Sequence, residues 1–478
     1  MSESLKEKTA KGLFWGAMNS GTTQVLNLAF GIILGRLLTP ADYGIVGVLA
    51  IFTAIAGDLQ SSGFTQALVN LKEPKRNDYN SVFWFNVLTS VTIYAILFFS
   101  APLIADFFHE PRLTVLSRFV FLSFVISSLG ITSNAYMTKN MMNKELAVCA
   151  VVALLGSGIV GVTLAFNGYA YWSLAWQQVA YITLLNLCRF YYTPRIASLH
   201  IDFGPVRRMF SFAVKILVTK IINTVSGNIL TFIFGRLYPM KAVGNFSQAY
   251  KWDNMANSFV ANTVGQIAQP VMVSVKGERG REAQVFRKMM RFTAFLGFPA
   301  MFGLALVAHE FIMITIGAKW EGCVALLQIL CVSGAFYPFY TLYQNLAISN
   351  GRSDIYMWCN IFQIVFQVGI IIAMHSWGMT VMVGAYSAFL ILWLLVWQRI
   401  AYKLVGIRLR DTLRDILPFC LASAAVMAAT YGLTFWIANN VVLLLARILI
   451  AAVLYFVAMK LARAVILDEC LEFIKRKL

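Results

Sequence analysis

The segment Gly35-Arg36-Leu37 recurs as Gly235-Arg236-Leu237, 200 residues further along the chain. At the same offset, Gly44 recurs as Gly244. Each copy of the segment ends a long apolar stretch, and a short loop with one proline leads from it into another such stretch. Two copies of a hydrophobic unit in one chain are typical of membrane transporters, in which a substrate site lies between two halves of similar fold. The repeat is clear over the first two helices of each half and weaker beyond them.

The composition is that of a membrane protein. Of the 478 residues, 59% are hydrophobic and 13% are charged. Soluble proteins carry about 25% charged residues. Apolar segments of about 20 residues, the length that crosses a bilayer as a helix, recur along the whole chain. We therefore predict an all-α polytopic membrane protein.

About fourteen transmembrane helices are predicted, arranged as two pseudo-symmetric six-helix lobes and two C-terminal helices. The predicted domains are a six-helix lobe at residues 1–195, a cytoplasmic linker at 196–208, a second six-helix lobe at 209–403, and two further helices with a basic tail at 404–478. When the N-terminus is placed in the cytoplasm, most of the 39 lysines and arginines fall on the cytoplasmic side, as the positive-inside rule requires. Both termini are therefore predicted to be cytoplasmic, and topology rather than nucleic-acid binding accounts for most of the net charge of +18.

Two equivalent helices carry polar stripes. In the seventh predicted helix the stripe has i, i+3, i+4 and i+8 spacing and consists of Lys220, Asn223, Thr224 and Asn228. In the first predicted helix the matching stripe consists of Asn19, Thr23 and Asn27. Lys220 lies about ten residues into its helix, roughly 15 Å from the end and near the bilayer centre. Both halves therefore present a polar face from the corresponding helix.

The eighth predicted helix places further polar side chains at mid-membrane depth. Lys251 and Asp253 each lie about ten residues into it, and Asn254 shares the face of Lys251. Charges inside a membrane are costly, so they usually face a partner or a water-filled cavity. Two central lysines against one central aspartate predict a positive cavity, which suits a phosphate or diphosphate group. Amide side chains suit a sugar, whose hydroxyls both donate and accept hydrogen bonds.

Two interpretations of these polar groups remain open. They line a substrate path, or they hold helices together by hydrogen bonds of about 0.6 kcal/mol each. Asp253, and Asp58 in the second predicted helix, are candidates for coupling to an ion or proton, since a buried carboxylate can stay protonated near neutral pH. The alternative for Asp253 is a static ion pair with Lys220 or Lys251. Arg118, near the outer mouth, is a further candidate for the cavity.

No catalytic residue, metal site or cofactor is predicted. The seven cysteines show no CxxC or other metal spacing, and the four histidines are scattered. A membrane glycosyltransferase or polymerase would need carboxylates on its outer face for catalysis, and the predicted outer loops are short and hold few acidic residues. The pattern therefore argues against an enzyme.

Four segments resemble those of bacterial polysaccharide transporters. They are Gly35–Gly44, Tyr136–Ala147, Gly317–Leu330 and Gly351–Asp354. The resemblance implies membership of the superfamily that joins multidrug exporters, lipid II flippases and polysaccharide flippases. Its fold is two six-helix lobes around a central cavity, with two added C-terminal helices in some branches.

The resemblance implies a multi-pass flippase of the bacterial cytoplasmic membrane. Such a protein carries undecaprenyl-diphosphate-linked oligosaccharides to the outer leaflet for lipopolysaccharide, capsule or exopolysaccharide synthesis, by alternating access coupled to H⁺ or Na⁺. The implied partners are the anionic lipid-linked glycan, the lipid bilayer and polysaccharide-assembly proteins, with no nucleic acid. Lys220 and Lys251 fit the expected cationic cavity. The alternatives are a multidrug or metabolite exporter of the same fold, whose often cationic substrates would favour an acidic cavity, and a non-transporting assembly subunit.

Overall fold

The computed structural model describes residues 5–61, 63–194, 198, 202–274 and 279–469. The secondary structure of these residues is α-helical, apart from loops and two short 3-10 turns, and it contains no strand. The all-α prediction is therefore confirmed. The predicted linker at 196–208 and the basic tail at the end of the predicted 404–478 segment lie partly outside the described residues.

The helices follow one another with short connections. As far as the second copy of the repeat they are α1 (Leu5–Leu37), α2 (Pro40–Gly47), α3 (Ala50–Ser61), α4 (Phe64–Asn70), α5 (Arg76–Phe108), α6 (Leu113–Val120), α7 (Leu122–Leu129), α8 (Ile131–Lys139), α9 (Asn143–Phe166), α10 (Tyr171–Tyr192) and α11 (Gly204–Leu237). They continue as α12 (Met240–Ser274), α13 (Arg279–Thr315), α14 (Glu321–Gly334), α15 (Tyr337–Ser349), α16 (Ser353–Ala373), α17 (Met379–Val405), α18 (Leu409–Thr434) and α19 (Asn440–Leu461). The ends of α1 and α11 and the starts of α2 and α12 repeat the offset of 200 found in the sequence.

The chain is a multi-pass membrane protein. Within the described residues, nine helices are long and apolar enough to cross a membrane, or up to eleven if each of two bent helix pairs is one span. The three other segments predicted to cross, now α1, α10 and α12, are helical but are not among these spans. α1 and α12 carry the amides and charges discussed above, and α10 carries two glutamines, an asparagine and an arginine. Such residues lower the mean hydropathy of a helix. The total of fourteen spans stays a prediction.

Three of the predicted membrane helices are interrupted. The second is divided into α2, α3 and α4, the fourth into α6, α7 and α8, and the tenth into α14 and α15. Before α4, Gly63 has a φ of +63°, a left-handed conformation that glycine adopts without steric cost. The helix pair Leu113–Leu129 and Ile131–Lys139 is bent by 41°. The apolar pattern runs through these breaks, so hydropathy alone did not reveal them.

The contacts divide the chain into two compact units, one up to Gly244 and one from Asn245 onward. In the first unit α9 packs against α1 and α10, and α11 packs against α3, α4 and α5. In the second unit α13 packs against α14, α18 and α19. The boundary falls inside α12, so the first turn of this helix belongs to the first unit. The lobes predicted from the sequence stay a prediction.

The two copies of the repeat touch at their glycines. A Cβ atom on Gly44 would lie 1.9 Å from the carbonyl oxygen of Met240, and one on Gly244 would lie 1.7 Å from that of Pro40. Pro40 and Met240 are themselves separated by the repeat offset, so the contact between α2 and the first turn of α12 is reciprocal. Such close backbone approach between membrane helices requires small residues, and here it excludes every residue with a Cβ atom.

A buried ion pair fixes the two C-terminal helices to the second unit. Arg447 of α19 donates to the Glu310 carboxylate of α13 at 2.8 Å and to the carbonyl oxygen of Leu306 at 3.1 Å. Its Nε also lies 3.3 Å from the Thr434 hydroxyl of α18. The two charged side chains are 8% and 5% exposed. The pair therefore joins α13, α18 and α19 at one point.

Removing one partner of this pair is expected to destabilise the protein more than removing both. Arg447→Met leaves the buried Glu310 carboxylate with only the His309 imidazole nearby, at 3.7 Å, and loss of one partner of a buried pair costs about 3–5 kcal/mol. The double variant Arg447→Met with Glu310→Leu replaces both charges by apolar side chains and should recover most of this loss. Thermal unfolding of the purified protein in detergent measures the difference. A double variant that is less stable than either single variant would contradict the expectation.

Candidate functional site

The polar stripe of α1 is only partly open. Asn19 and Thr23 are half-buried, whereas Asn27 is exposed. The Thr23 hydroxyl donates to the carbonyl oxygen of Asn19 at 2.8 Å, within its own helix. The Oδ1 atom of Asn19 has no hydrogen-bond partner among the residues that the structure describes. In this stripe, the amide groups of Asn19 and Asn27 are therefore available for further hydrogen bonds.

The polar stripe of α11 contains an exposed lysine and a threonine that donates a hydrogen bond to a carboxylate of α3. Lys220 is exposed, and its ammonium has no ion pair or hydrogen bond with the described residues. Asn228 donates to the carbonyl oxygen of Thr224 at 2.8 Å. The Thr224 hydroxyl in turn donates to the Asp58 carboxylate of α3. The structure thus brings two of the predicted polar groups together, and half-buried Asn223 lies beside them on α11.

The central carboxylate of α12 is buried with little compensation. Asp253 is 6% exposed, and its Oδ2 accepts a hydrogen bond of 3.3 Å from the Asn257 amide. Neither its Oδ1 nor the Oδ1 atom of Asn257 has a hydrogen-bond partner in the described part of the chain. Among the described residues no cation lies within ion-pair distance of Asp253, so the predicted ion pair with Lys251 is not formed. Lys251 is half-buried and Asn254 is exposed, on another face of the helix.

A glycine on α14 accommodates this carboxylate. A Cβ atom on Gly334 would lie 2.4 Å from Oδ1 of Asp253, 2.7 Å from Nδ2 of Asn257 and 2.7 Å from the terminal methyl group of Met301. Each of these contacts is shorter than ordinary van der Waals distance. Asp253 and Asn257 are therefore seated directly on the backbone of α14.

Sequence reasoning missed several polar residues of the second unit. Tyr386 of α17 is buried, at 8% exposure. Gln248 of α12 and Gln367 of α16 are almost fully buried, and neither side chain has a hydrogen-bond partner among the described residues. A signal for Gln248 was present, since it lies three residues before Lys251 on the same helix. Gln367 and Tyr386 are brought in by tertiary packing.

Arg118 contacts the bundle rather than standing free. Its Nε donates to the carbonyl oxygen of Phe98 at 3.2 Å, and its guanidinium lies 4.4 Å from the centre of the Phe98 ring. These contacts attach α6 to α5. Among the described residues no group of three or more His, Cys, Asp or Glu side chains could hold a metal ion.

Residues 33–325 match the model of the polysaccharide biosynthesis protein family, and the chain belongs to that family. A relative is the lipopolysaccharide biosynthesis protein WzxC of Escherichia coli K12, 24% identical over 369 residues, or 75% of this chain and 74% of the relative. The succinoglycan biosynthesis transport protein ExoT of Rhizobium meliloti is 23% identical over 77% of this chain and 75% of its own length. These identities are too low to transfer individual site residues.

Among solved structures, the lipid II flippase MurJ in an inward closed conformation has a similar fold. The TM-score is 0.80 over 95% of this chain and 100% of the other, with 13% sequence identity. At this identity the likeness concerns the fold alone. It supports the sequence-based expectation of a fold shared with lipid II flippases.

Proposed function

We propose that this member of the polysaccharide biosynthesis protein family flips undecaprenyl-diphosphate-linked oligosaccharide units across the bacterial cytoplasmic membrane. The polymer served would be a lipopolysaccharide, a capsule or an exopolysaccharide. The observation that carries the proposal is a lysine without a described counter-charge midway along each of two polar helices, Lys220 on α11 and Lys251 on α12. We further infer fourteen spans with both termini in the cytoplasm, and alternating access as the mechanism.

The head group of such a substrate fits the chemistry of these helices. A diphosphate offers several oxygen acceptors, and an ammonium group donates up to three hydrogen bonds to them. Exposed amides accompany the lysines, Asn27 on α1 and Asn254 on α12. Amides can both donate to and accept from sugar hydroxyls. We therefore assign the lysines to the diphosphate and the amides to the glycan.

The hydrocarbon part of the substrate has a suitable surface in the second unit. A groove of about 540 Å³ lies among α13, α18 and α19, and its walls are almost wholly apolar. Arg447 contributes to this groove, but its guanidinium is already paired with Glu310. The groove therefore suits an uncharged chain such as an isoprenoid and offers nothing to a phosphate.

We assign ion coupling to Asp253 rather than to Asp58. Asp58 accepts a hydrogen bond from Thr224, so its carboxylate already has a partner. Asp253 is buried, has one oxygen without a partner and no counter-charge among the described residues. A carboxylate in this position gains most by taking up a proton or a small cation such as Na⁺.

Asp253→Asn is expected to leave the protein folded and to remove the dependence of transport on the ion gradient. Asparagine keeps the shape of the side chain but cannot take up or release a proton, and it carries no charge. Uptake of lipid-linked substrate by proteoliposomes under an imposed proton or sodium gradient measures this dependence. Asp58→Asn is the matched control and should stay gradient-dependent. If the Asp253→Asn variant responds to the gradient like the wild type, Asp253 has a packing role only.

Gly334→Ala is expected to disturb the ion coupling assigned to Asp253, although it leaves the carboxylate group itself unchanged. The new methyl group displaces Asp253 and Asn257, whose side-chain ends can move, so the loss of stability should stay within about 1–3 kcal/mol. The same gradient assay and thermal unfolding measure the two effects. Gly369→Ala on α16 is the control, because its methyl group meets nothing within 4 Å. Unaltered gradient dependence in Gly334→Ala would contradict the assignment.

Deletion of the gene tests the function as a whole. Loss of one surface polymer, with its lipid-linked repeat unit accumulating on the cytoplasmic side of the membrane, supports the flippase and identifies its glycan. Unchanged surface glycans together with altered sensitivity to toxic small molecules would replace the proposal by a multidrug exporter. Complementation with the intact gene controls for effects on neighbouring genes.

A further inference from the structure

A second groove lies in the first unit, between α5 and the first two turns of α11. It is open to the surface, has a volume of about 740 Å³ and has mainly apolar walls. Leu88 and Phe210 form part of these walls and remain 49% and 47% exposed. Apolar side chains left exposed on a membrane protein face lipid chains. The groove is therefore a surface where a lipid chain can lie.

One end of this groove carries an unpaired positive charge. Arg207 and Arg208 are neighbours in the first turn of α11 and both are exposed. Arg208 lies 3.2 Å from the Asp78 carboxylate of α5. Arg207 lines the groove and has no ion pair or hydrogen bond with any described residue. The hydroxyl of Ser211, one turn further along α11, also lines it.

We propose that this groove, the α5–α11 groove, binds one anionic phospholipid, with its phosphate at Arg207 and an acyl chain along Leu88 and Phe210. Basic pockets between membrane helices on the cytoplasmic side are suited to anionic head groups. The predicted topology places this end of α11 at the cytoplasmic leaflet. The proposal concerns a lipid of the bilayer itself and is independent of what the protein transports.

The charge at the groove decides between a phospholipid and the polyprenyl substrate. A diphosphate carries more than one negative charge and calls for more than one cation. Among the described residues, the α5–α11 groove offers a single unpaired guanidinium, which matches the single charge of a phosphodiester. The groove among α13, α18 and α19 differs, since Arg447, the one charged residue among its described walls, is already paired. The two grooves thus suit different molecules.

Native mass spectrometry of the purified full-length protein tests the proposal. The probes are dioleoyl phosphatidylglycerol and its zwitterionic choline analogue, added at equal concentrations. The wild type is expected to hold one phosphatidylglycerol about fivefold more tightly than the choline lipid, the contribution of one arginine near a membrane surface. Arg207→Ala should lose this preference and Arg207→Lys should keep it. Arg410→Ala, an exposed arginine in the first turn of α18, should behave like the wild type.

Four results would overturn the proposal. The first is an unchanged preference for phosphatidylglycerol in Arg207→Ala. The second is displacement of phosphatidylglycerol by an equal concentration of undecaprenyl phosphate, which would make the groove an entry site for the carrier lipid. The third is displacement by millimolar inorganic phosphate, which would make Arg207 a simple anion site. Thr89→Trp, which fills the groove without altering its charge, should weaken both phospholipids, and unaltered binding in that variant would place the lipid elsewhere.

Discussion

Replacing Lys251 or Lys220 by alanine is expected to reduce polysaccharide export by about 10- to 100-fold in each case. The estimate corresponds to the loss of one charged hydrogen-bonding group that contacts the diphosphate. Neither lysine holds a described residue by an ion pair, so the protein should still insert and fold. Surface polysaccharide measured in a deletion strain that expresses each variant gives the loss of export, and the amount of protein in the membrane confirms insertion.

Lys215→Ala provides the matched control for this prediction. Lys215 is also exposed on α11, but it lies closer to the start of that helix, which the predicted topology places at the cytoplasmic interface. A long side chain there reaches the interface and contributes little to a central cavity. Export in Lys215→Ala should therefore stay near the wild-type level. Normal export in both Lys220→Ala and Lys251→Ala would remove the proposed binding site, whereas a loss in one variant only would restrict it to that helix.

The helices could be predicted from the sequence because insertion of a segment into lipid depends mainly on that segment. The apolar segments predicted from the sequence are helical in the structure. The interruptions were not predicted, since a break such as the one between α14 and α15 depends on packing by neighbouring helices. Asp253 and Asn257 lie four positions apart on α12, about one helical turn, and the structure joins them by a hydrogen bond.

The partners of the candidate site residues were beyond reach of the sequence. Asp58 and Thr224 are separated by 166 positions, and nothing in either helix alone indicates that they meet. The sequence likewise gives no sign that Gly334 lies against Asp253, which fits there because glycine has no side chain. Position along a helix and helical face therefore predict which polar residues lie near mid-membrane. Tertiary packing decides which of those side chains already have a hydrogen-bond partner. Asp58 has such a partner in Thr224, whereas one oxygen of Asp253 has none among the described residues.

The repeat was visible in the sequence, but its steric consequence appears only in the structure. Gly44→Ala or Gly244→Ala is expected to destabilise the protein by about 3 kcal/mol or to prevent folding. The added Cβ atom would lie 1.9 Å or 1.7 Å from a backbone carbonyl oxygen, and neither backbone can give way as a flexible side chain would. Overpacking of a well-packed contact costs about 1–3 kcal/mol, and occasionally more. Thermal unfolding in detergent and the yield of monodisperse protein measure the effect.

Two further variants make this prediction specific to the helix crossing. Gly57→Ala in α3 and Gly369→Ala in α16 add a methyl group with nothing within 4 Å, so they should be neutral or slightly stabilising, since alanine favours a helix over glycine by about 1 kcal/mol. The double variant Gly44→Ala with Gly244→Ala should cost little more than either single one, because the first substitution already separates the two backbones and the second then finds room. Full additivity would mean that the two glycines act independently, and stability equal to that of Gly57→Ala would mean that α2 and α12 do not touch there. A loss of stability in the double variant that is smaller than the sum of the two single losses is therefore expected if Gly44 and Gly244 belong to one and the same helix contact.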